Sequence, residues 1–359
     1  MGFRYKKSTE SNWTDVTYTG GISTEDGTYS ITLTNLSPST TYDVEAHMSV
    51  HNGTTYTEIT KTGQFTTSAP SSYVPTGWLE LPEVTGSEDL VVTMYKTGGT
   101  TGTDANRNYS MNYSKERYAA LWVAYTLTEQ DVVANNGGSS TTWNYNNAVF
   151  DGGYQVNVKD NSYGTNYGND LYSRGHQIPN ADRTTSSTAK AQTYLLTNQT
   201  PQIQNKFNGS IWGSLEKAAR GFVVTSSYSS NDSYNASFTK TDVLYVITGP
   251  SYGKYGTSET PTVTLTAAKS GVTPTTVDVP RYYWKVFLKV KWDGDSISDA
   301  KAIGFWFVHQ EYSNNTYTNY VQSVNQIESW TGFNLFANLP DTIEETVEAN
   351  TSWEDFRDF

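Results

Sequence analysis

The chain contains no cysteine. Disulfides and thiolate metal sites are thereby excluded, stability has to come from burial and hydrogen bonding, and thiol usage says nothing about the redox compartment. Charge is also sparse: Asp, Glu, Lys and Arg make up 17% of 359 residues and leave a net charge of −12. That balance argues against a globally basic nucleic-acid binder, because phosphate contacts call for a positive face. Nor does any apolar run reach the roughly 18 residues that a helix needs to span a bilayer. The first residues lack the apolar core of a signal peptide, so any export signal is expected upstream of Met1.

What is abundant is Tyr, Thr, Ser, Asn and Gly, and the 27 tyrosines point to a polar, uncharged, aromatic-rich surface. Such a surface suits an exported β-rich protein, and a secreted or cell-surface location is expected. The length allows two domains at about 100–200 residues each.

Residues 3 to 67 read as short strands between turns, with no helical period. Tyr42, Val44, Ala46, Met48 and Val50 alternate with Asp43, Glu45, His47 and Ser49, the pattern of a half-buried strand. Asn52-Gly53 is a hairpin turn leading into a second strand. Leu36-Ser37-Pro38, followed by Thr40 and Tyr42, resembles the corner of a fibronectin type III sandwich. The resemblance implies that residues 3–7 are strand C of an incomplete module over 1–67 that lacks its first two strands. Exposed edges and an open inner face would make it less stable than a complete sandwich, and a spacer or adhesion role is expected. The Ser- and Pro-rich stretch 68–77 reads as a linker, and a second domain occupies 78–359.

In the second domain, Tyr118 to Leu127 is a dense β-prone run and is expected as a central strand. Residues 129–170 carry little period and read as long loops. Strands are expected over 222–225, 242–248, 282–292 and 302–309, with Gly249-Pro250 as a turn, and short helices over 323–331 and 341–349. Residues 226–240 read as a surface loop. The acidic tail is expected to be a solvated face rather than a calcium site, and His47, His51 and His309 are expected to be structural or surface residues.

Base, amide and guanidinium side chains crowd together only in 171–220. Six cations there (Arg174, Arg183, Lys190, Lys206, Lys217, Arg220) face Asp182 and Glu216, leaving a local +4 on an acidic chain. Arg174-Gly175-His176 puts a titratable imidazole beside a guanidinium, with a glycine that allows backbone to approach a substrate. A helix is expected from about 209, with Asn208 at its mouth and Trp212, Glu216 and Arg220 in steps of four. Glu216 and Arg220 suit an ordinary ion pair on that helix, and Trp212 suits core packing more than base stacking. The oxygen donors suit a hard cation such as Mg²⁺ better than zinc.

The run RGHQIPNADR, then TNQTPQ, FN, Trp212 and Leu215-Glu216, with LYVITGP at 244–250, VPRYYWKV at 279–286 and TGFNLFANLPD at 331–341, resembles the DNA/RNA non-specific endonucleases, the ββα-metal group. The resemblance covers roughly 77–359. It implies an α+β domain with a central, mainly antiparallel sheet flanked by helices, and cleavage of DNA and RNA with little sequence preference. It implies His176 as general base, Asn208 as direct ligand of one Mg²⁺ (or Mn²⁺ or Ca²⁺), and Glu216 as holder of metal-bound water. Arg174 and Arg220 would neutralise phosphate, and Asn198 would line the substrate site. The family pattern has aspartate where this chain has Ser173. That departure, with the acidic surface, sustains a rival reading as a binder of nucleic acid or another polyanion that cuts poorly. Composition alone motivates a third, a surface adhesin. Monomer and homodimer both remain open.

Overall fold

Period-two alternation recurs through the sequence, and strands accordingly make up most of the regular structure. The structure is a computed structural model and describes residues 2–17, 33, 40–51, 54–66, 78–84, 90–138, 142–149, 154–157, 171–225 and 238–359. The Leu36-Ser37-Pro38 corner, the Asn52-Gly53 turn, the 68–77 linker, residues 158–170 and residues 226–237 lie outside the described residues. The chain divides into two units, Met1–Val74 and Pro75–Phe359.

The first unit contains β1 (Gly2–Lys7), β2 (Thr14–Thr17), β3 (Thr41–His51) and β4 (Tyr56–Thr66) in one antiparallel sheet of order β2-β1-β3-β4. Tyr42 is buried between the rings of Tyr5 and Phe65, at centroid distances of 6.0 and 5.7 Å. Met48 and Val50, from the same alternating series, are exposed. Among the described residues no second sheet layer covers them, so a sandwich is not seen there.

The second unit contains β5 (Leu90–Tyr95), β6 (Arg107–Ser114), β7 (Ala119–Leu127), β8 (Tyr172–His176), β9 (Gln199–Ile203), β10 (Leu244–Ser251), β11 (Thr264–Thr266), β12 (Thr276–Asp278), β13 (Tyr282–Asp293), β14 (Ser296–Val308) and β15 (Val321–Gln322). Its helices are α1 (Glu129–Val133), α2 (Ser187–Thr193), α3 (Gly213–Gly221), α4 (Val324–Thr331), α5 (Asp341–Glu348) and α6 (Trp353–Arg357). Seven strands form an antiparallel sheet of order β15-β14-β13-β10-β7-β6-β5, while β8–β9 and β11–β12 are separate hairpins. The run 118–127 is β7, flanked by β6 and β10. Among the described residues no helix is long and apolar enough to cross a membrane.

Alternation gives the sheet two apolar faces. Val123, Tyr125, Tyr283, Phe287 and Phe307 pack against Phe207, Trp212 and Leu215, so this face carries α3 and the segment before it. Trp122, Ala124, Trp284, Val286 and Leu288 pack on the opposite face with Val324 and Ile327 of α4 and Val347 of α5. Near the start of the unit, Arg107 pairs with Glu80 at 2.6 Å and lies 3.7 Å over the Trp78 ring, fixing residues 78–80 to β6.

Three sequence expectations are corrected. Residues 222–225 are not a strand: they leave α3 as a turn, and Phe222, Val223 and Val224 bury themselves in the core without ladder partners. Gly249-Pro250 does not end a strand, because β10 continues to Ser251; Pro250 lies beyond the last pairing with β7, where its missing N–H goes unneeded on that side. The acidic tail is not wholly solvated. Glu348 is only 4% exposed, and Glu344 and Glu328 are half-buried beside it.

Burial, and after it the mutual repulsion of these carboxyl groups, pushes Glu344 up to about 8 and Glu348 to about 10, while burial alone raises Glu328 to about 7. A folded pKa above the unfolded value of 4.5 contributes stability that is fully present below pH 4.5 and is lost as pH rises through the range 7–10. Thermal denaturation should therefore show Tm falling from pH 6 to pH 9, and Glu348→Gln should flatten that fall. An unchanged slope in the variant would show that Glu348 is not its source.

Candidate active site

The hairpin β8–β9 carries the motif and is bolted to the sheet from below. Tyr283 on β13 donates its hydroxyl to Pro201 O at 2.8 Å and accepts from Thr200 Oγ1 at 2.9 Å. His309, just past β14, accepts the Ile203 N–H at Nε2 (2.9 Å) and donates from Nδ1 to Pro280 O (2.9 Å). Its structural role follows from those two bonds, and burial holds it neutral, with a pKa lowered to about 4.

Along β8 the register is Ser173↔Gln202, Arg174↔Pro201, Gly175↔Thr200 and His176↔Gln199. Alternation puts Arg174 and His176 on one face and Ser173 and Gly175 on the other, the face of Thr200 that meets Tyr283. Gly175 leaves room for the Gln202 side chain, which a Cβ at 175 would overlap. The glycine therefore serves packing within the hairpin, not the backbone approach of a substrate.

His176 makes no side-chain hydrogen bond to any described residue, and its Nε2 is shut off from solvent. Ring contacts surround it, with Trp143 at 4.7 Å and Tyr194 edge-on at 4.9 Å. Burial first, and the Arg174 guanidinium second, lower its pKa to about 4, so the imidazole is neutral at neutral pH. Arg174 lies 5.7 Å over the Trp143 ring, on the same face of the hairpin.

Asn208 precedes α3 in the kinked segment 204–212, where Lys206 has φ +60° and Ser210 departs from helical geometry. The regular helix starts at Gly213, so Asn208 does not cap it with its side chain, in contrast to the expected start near 209. Its Nδ2 donates to Ser173 Oγ at 3.0 Å and approaches Gln204 Oε1 at 3.4 Å. Its Oδ1 takes no hydrogen bond from any described residue, which leaves one amide oxygen for a hard cation. Among the described residues no cluster of three or more His, Asp or Glu could hold a metal, so a zinc-type cage is not built here. Asn208 is thus tied to β8 three residues before His176, from the alternate face.

Glu216 and Arg220 share the inner side of α3 as the spacing predicts. Arg220 Nη1 meets Asp182 Oδ1 at 2.8 Å, and the Tyr125 hydroxyl donates to Asp182 Oδ2 at 2.9 Å. Burial raises Glu216 to about 7, while Lys285 and Arg220 pull it back. The Trp212 indole N–H faces the same carboxylate without forming a well-aligned hydrogen bond. Lys285, fully buried with no hydrogen bond from Nζ to any described residue, lies 4.8 Å over the Trp212 ring and completes a quartet with Asp182, Glu216 and Arg220. Sequence reading passed over Asp182 and Lys285. The signal for Lys285 was its place between Tyr283 and Phe287, on the face of β13 that carries the core.

Asn198, expected to line the substrate site, has its side chain committed to the backbone. It is fully buried, with Oδ1 accepting from Ile178 N (3.0 Å) and Nδ2 donating to Ile178 O (3.0 Å) and Thr193 O (2.8 Å). It fixes the path of the chain after His176. The local +4 is also smaller than it reads, because Arg183 is fully buried against Asn108 and Thr126 O, and Lys206 pairs with Glu311 at 2.9 Å.

With that geometry in hand, comparison with known proteins gives three findings. The model of the family described as DNA/RNA non-specific endonuclease matches residues 86–342. A protein named "Nuclease" from Nostoc sp. (strain PCC 7120) is 24% identical over 246 residues, 67% of this chain and 75% of that protein. A chain from the crystal structure of the EndoG/EndoGI complex, on the mechanism of EndoG inhibition, aligns at 19% identity and a TM-score of 0.49, covering 66% of this chain and 85% of that one.

Asn198→Ala should cost about 1–3 kcal/mol of stability by stranding buried backbone groups. Denaturant melting would measure it. A variant with unchanged stability would overturn the structural role given to Asn198.

Proposed function

The chain belongs to the DNA/RNA non-specific endonuclease family, and from that premise we propose that it hydrolyses phosphodiester bonds inside DNA and RNA, with His176 as the proton acceptor and Asn208 as the direct ligand of one divalent cation. The observation that carries this reading is that a neutral imidazole and an amide with an uncommitted oxygen are both fastened to β8, three residues apart. In this reading the two groups flank one bound phosphate, the amide oxygen through a cation and the imidazole through the attacking water.

Each step assigns a task to a residue of the chain. The neutral His176 imidazole accepts a proton from water as the water oxygen bonds to phosphorus. The bond from phosphorus to the 3′ oxygen breaks, that oxygen takes a proton from water to become a 3′ hydroxyl, and a 5′ phosphate results. Asn208 Oδ1 would hold the cation, with Glu216 fixing its water; Mg²⁺ is the proposed ion, and Mn²⁺ or Ca²⁺ fits the same oxygen donors. When bound there, the cation stabilises charge on the phosphate and the leaving oxygen. Arg174, half-buried on the His176 face, neutralises the phosphate. Arg220 contributes to that field while one of its nitrogens stays on Asp182.

Ser173 replaces a carboxylate with a hydroxyl that takes the Asn208 N–H, so Asn208 keeps its orientation without the extra negative charge. A binder that cuts poorly remains the second reading on this observation, since one charge fewer weakens the hold on a cation.

For the first unit we propose a fibronectin type III-like spacer. The adjacency of β1, β3 and β4 is that of strands C, F and G in one sheet of such a sandwich. Action outside the cell is proposed on composition alone.

Plasmid and RNA digests test the reading. Cutting in Mg²⁺ should stop with EDTA and fall by about 10²-fold or more in His176→Ala and Asn208→Ala. Ser173→Asp should tighten apparent metal binding. Retained cutting in His176→Ala would overturn the assignment, and a gel shift without cutting in the unmodified chain would favour the binder.

A further inference from the structure

A histidine that acts as a base is usually oriented through its second nitrogen by a carboxylate or carbonyl. His176 lacks such a partner among the described residues, yet two rings partly enclose it and its Nε2 is shut off from solvent. The enclosure is built by a chain segment remote in sequence. Asn144 N–H donates to Tyr194 O at 3.0 Å and Leu196 N–H donates to Asn144 O at 2.9 Å, a short parallel bridge between the two segments. Asn146 Nδ2 extends the bridge to Thr197 Oγ1 at 3.1 Å, and Gln155 accepts the Asn146 N–H at 2.7 Å.

The bridge brings Trp143 against Tyr194, with centroids 5.3 Å apart at 74°, and His176 sits against both rings. Trp143 and Tyr194 are 7% and 6% exposed, so neither is a surface platform. Asn180 donates to the Tyr194 hydroxyl at 2.5 Å and fixes that ring in turn.

We propose that Trp143 and Tyr194 are positioning residues that orient the His176 imidazole by ring contact, in place of a hydrogen-bonded partner. The inference rests on the reading of His176 as proton acceptor. Ring contacts fix the imidazole plane and leave both nitrogens without a hydrogen bond to any described residue. Burial, and after it Arg174 on the same strand, hold the imidazole at about 4; Tyr194 is the titratable group facing it from the opposing segment.

The test combines histidine NMR with kinetics on the full chain. The His176 ring proton signal, assigned by its loss in His176→Gln, should be displaced by ring currents and titrate near 4. In Trp143→Ala it should move toward an ordinary position, and its midpoint should rise toward 6.5. In the same variant kcat should fall about ten- to a hundredfold, with KM held within about twofold. Trp143→Phe, which keeps a ring and a packed core, should recover most of both. Should Trp143→Ala fail to fold, Trp143→Phe and Tyr194→Phe carry the test through smaller changes in the same signal. An undisplaced signal in the native chain, or a Trp143 variant that folds and changes neither signal nor kcat, overturns the proposal. The NMR displacement reads orientation even if His176→Ala still cuts, so failure of the base assignment stays distinguishable.

Discussion

Everything at the site hangs from one attachment: the hairpin β8–β9 is held to a sheet that it does not join. Its own ladder is five residues long, too short to be stable alone. Tyr283 and His309 supply what is missing, binding Thr200, the Pro201 carbonyl and the Ile203 amide. The pleat then dictates the rest. With Thr200 turned to the sheet, Gly175 and Ser173 follow it, and Arg174 and His176 face the other way. Neutral His309 is needed for this, since only one tautomer both donates to Pro280 and accepts from Ile203.

Charge is handled by the same economy. Among the described residues the acidic chain buries a few charges where they act on one another. Arg220, Asp182 and the Tyr125 hydroxyl link α3 to β7 through the loop after β8, so the helix that carries Glu216 and the strand that carries His176 share one anchor. A buried ammonium without a hydrogen bond is costly, and Lys285 is tolerable because Glu216 and Asp182 lie close and the Trp212 ring offers its face. A divalent cation near Glu216 would further favour the charged carboxylate.

Much of this was legible in the sequence, for identifiable reasons. Residues 118–127, 282–292 and 302–309 declare themselves as strands because they are long and β-prone, and 323–331 and 341–349 as helices through their period. Residues 222–225 misled because a short apolar run buries equally well as a turn. Glycine at 175 looked like a gap for substrate because sequence does not show that Gln202 crosses it. For Asn198, proximity in sequence to the motif does not show that its side chain is spent on the Ile178 and Thr193 backbone. Trp143 gave no signal, since only the bridge between 144 and 195 brings it to His176. The burial of Glu348 was hidden because the charge of a tail says nothing about which face packs.

The central proposal is that the Asn208 amide oxygen holds a divalent cation facing the neutral His176 imidazole. Anomalous diffraction from crystals soaked in Mn²⁺ at a concentration that supports cutting tests it most directly. A single peak at Asn208 Oδ1, with His176 facing it across the space for a phosphate, is predicted. A peak held by other side chains, or Asn208 without one, would contradict it.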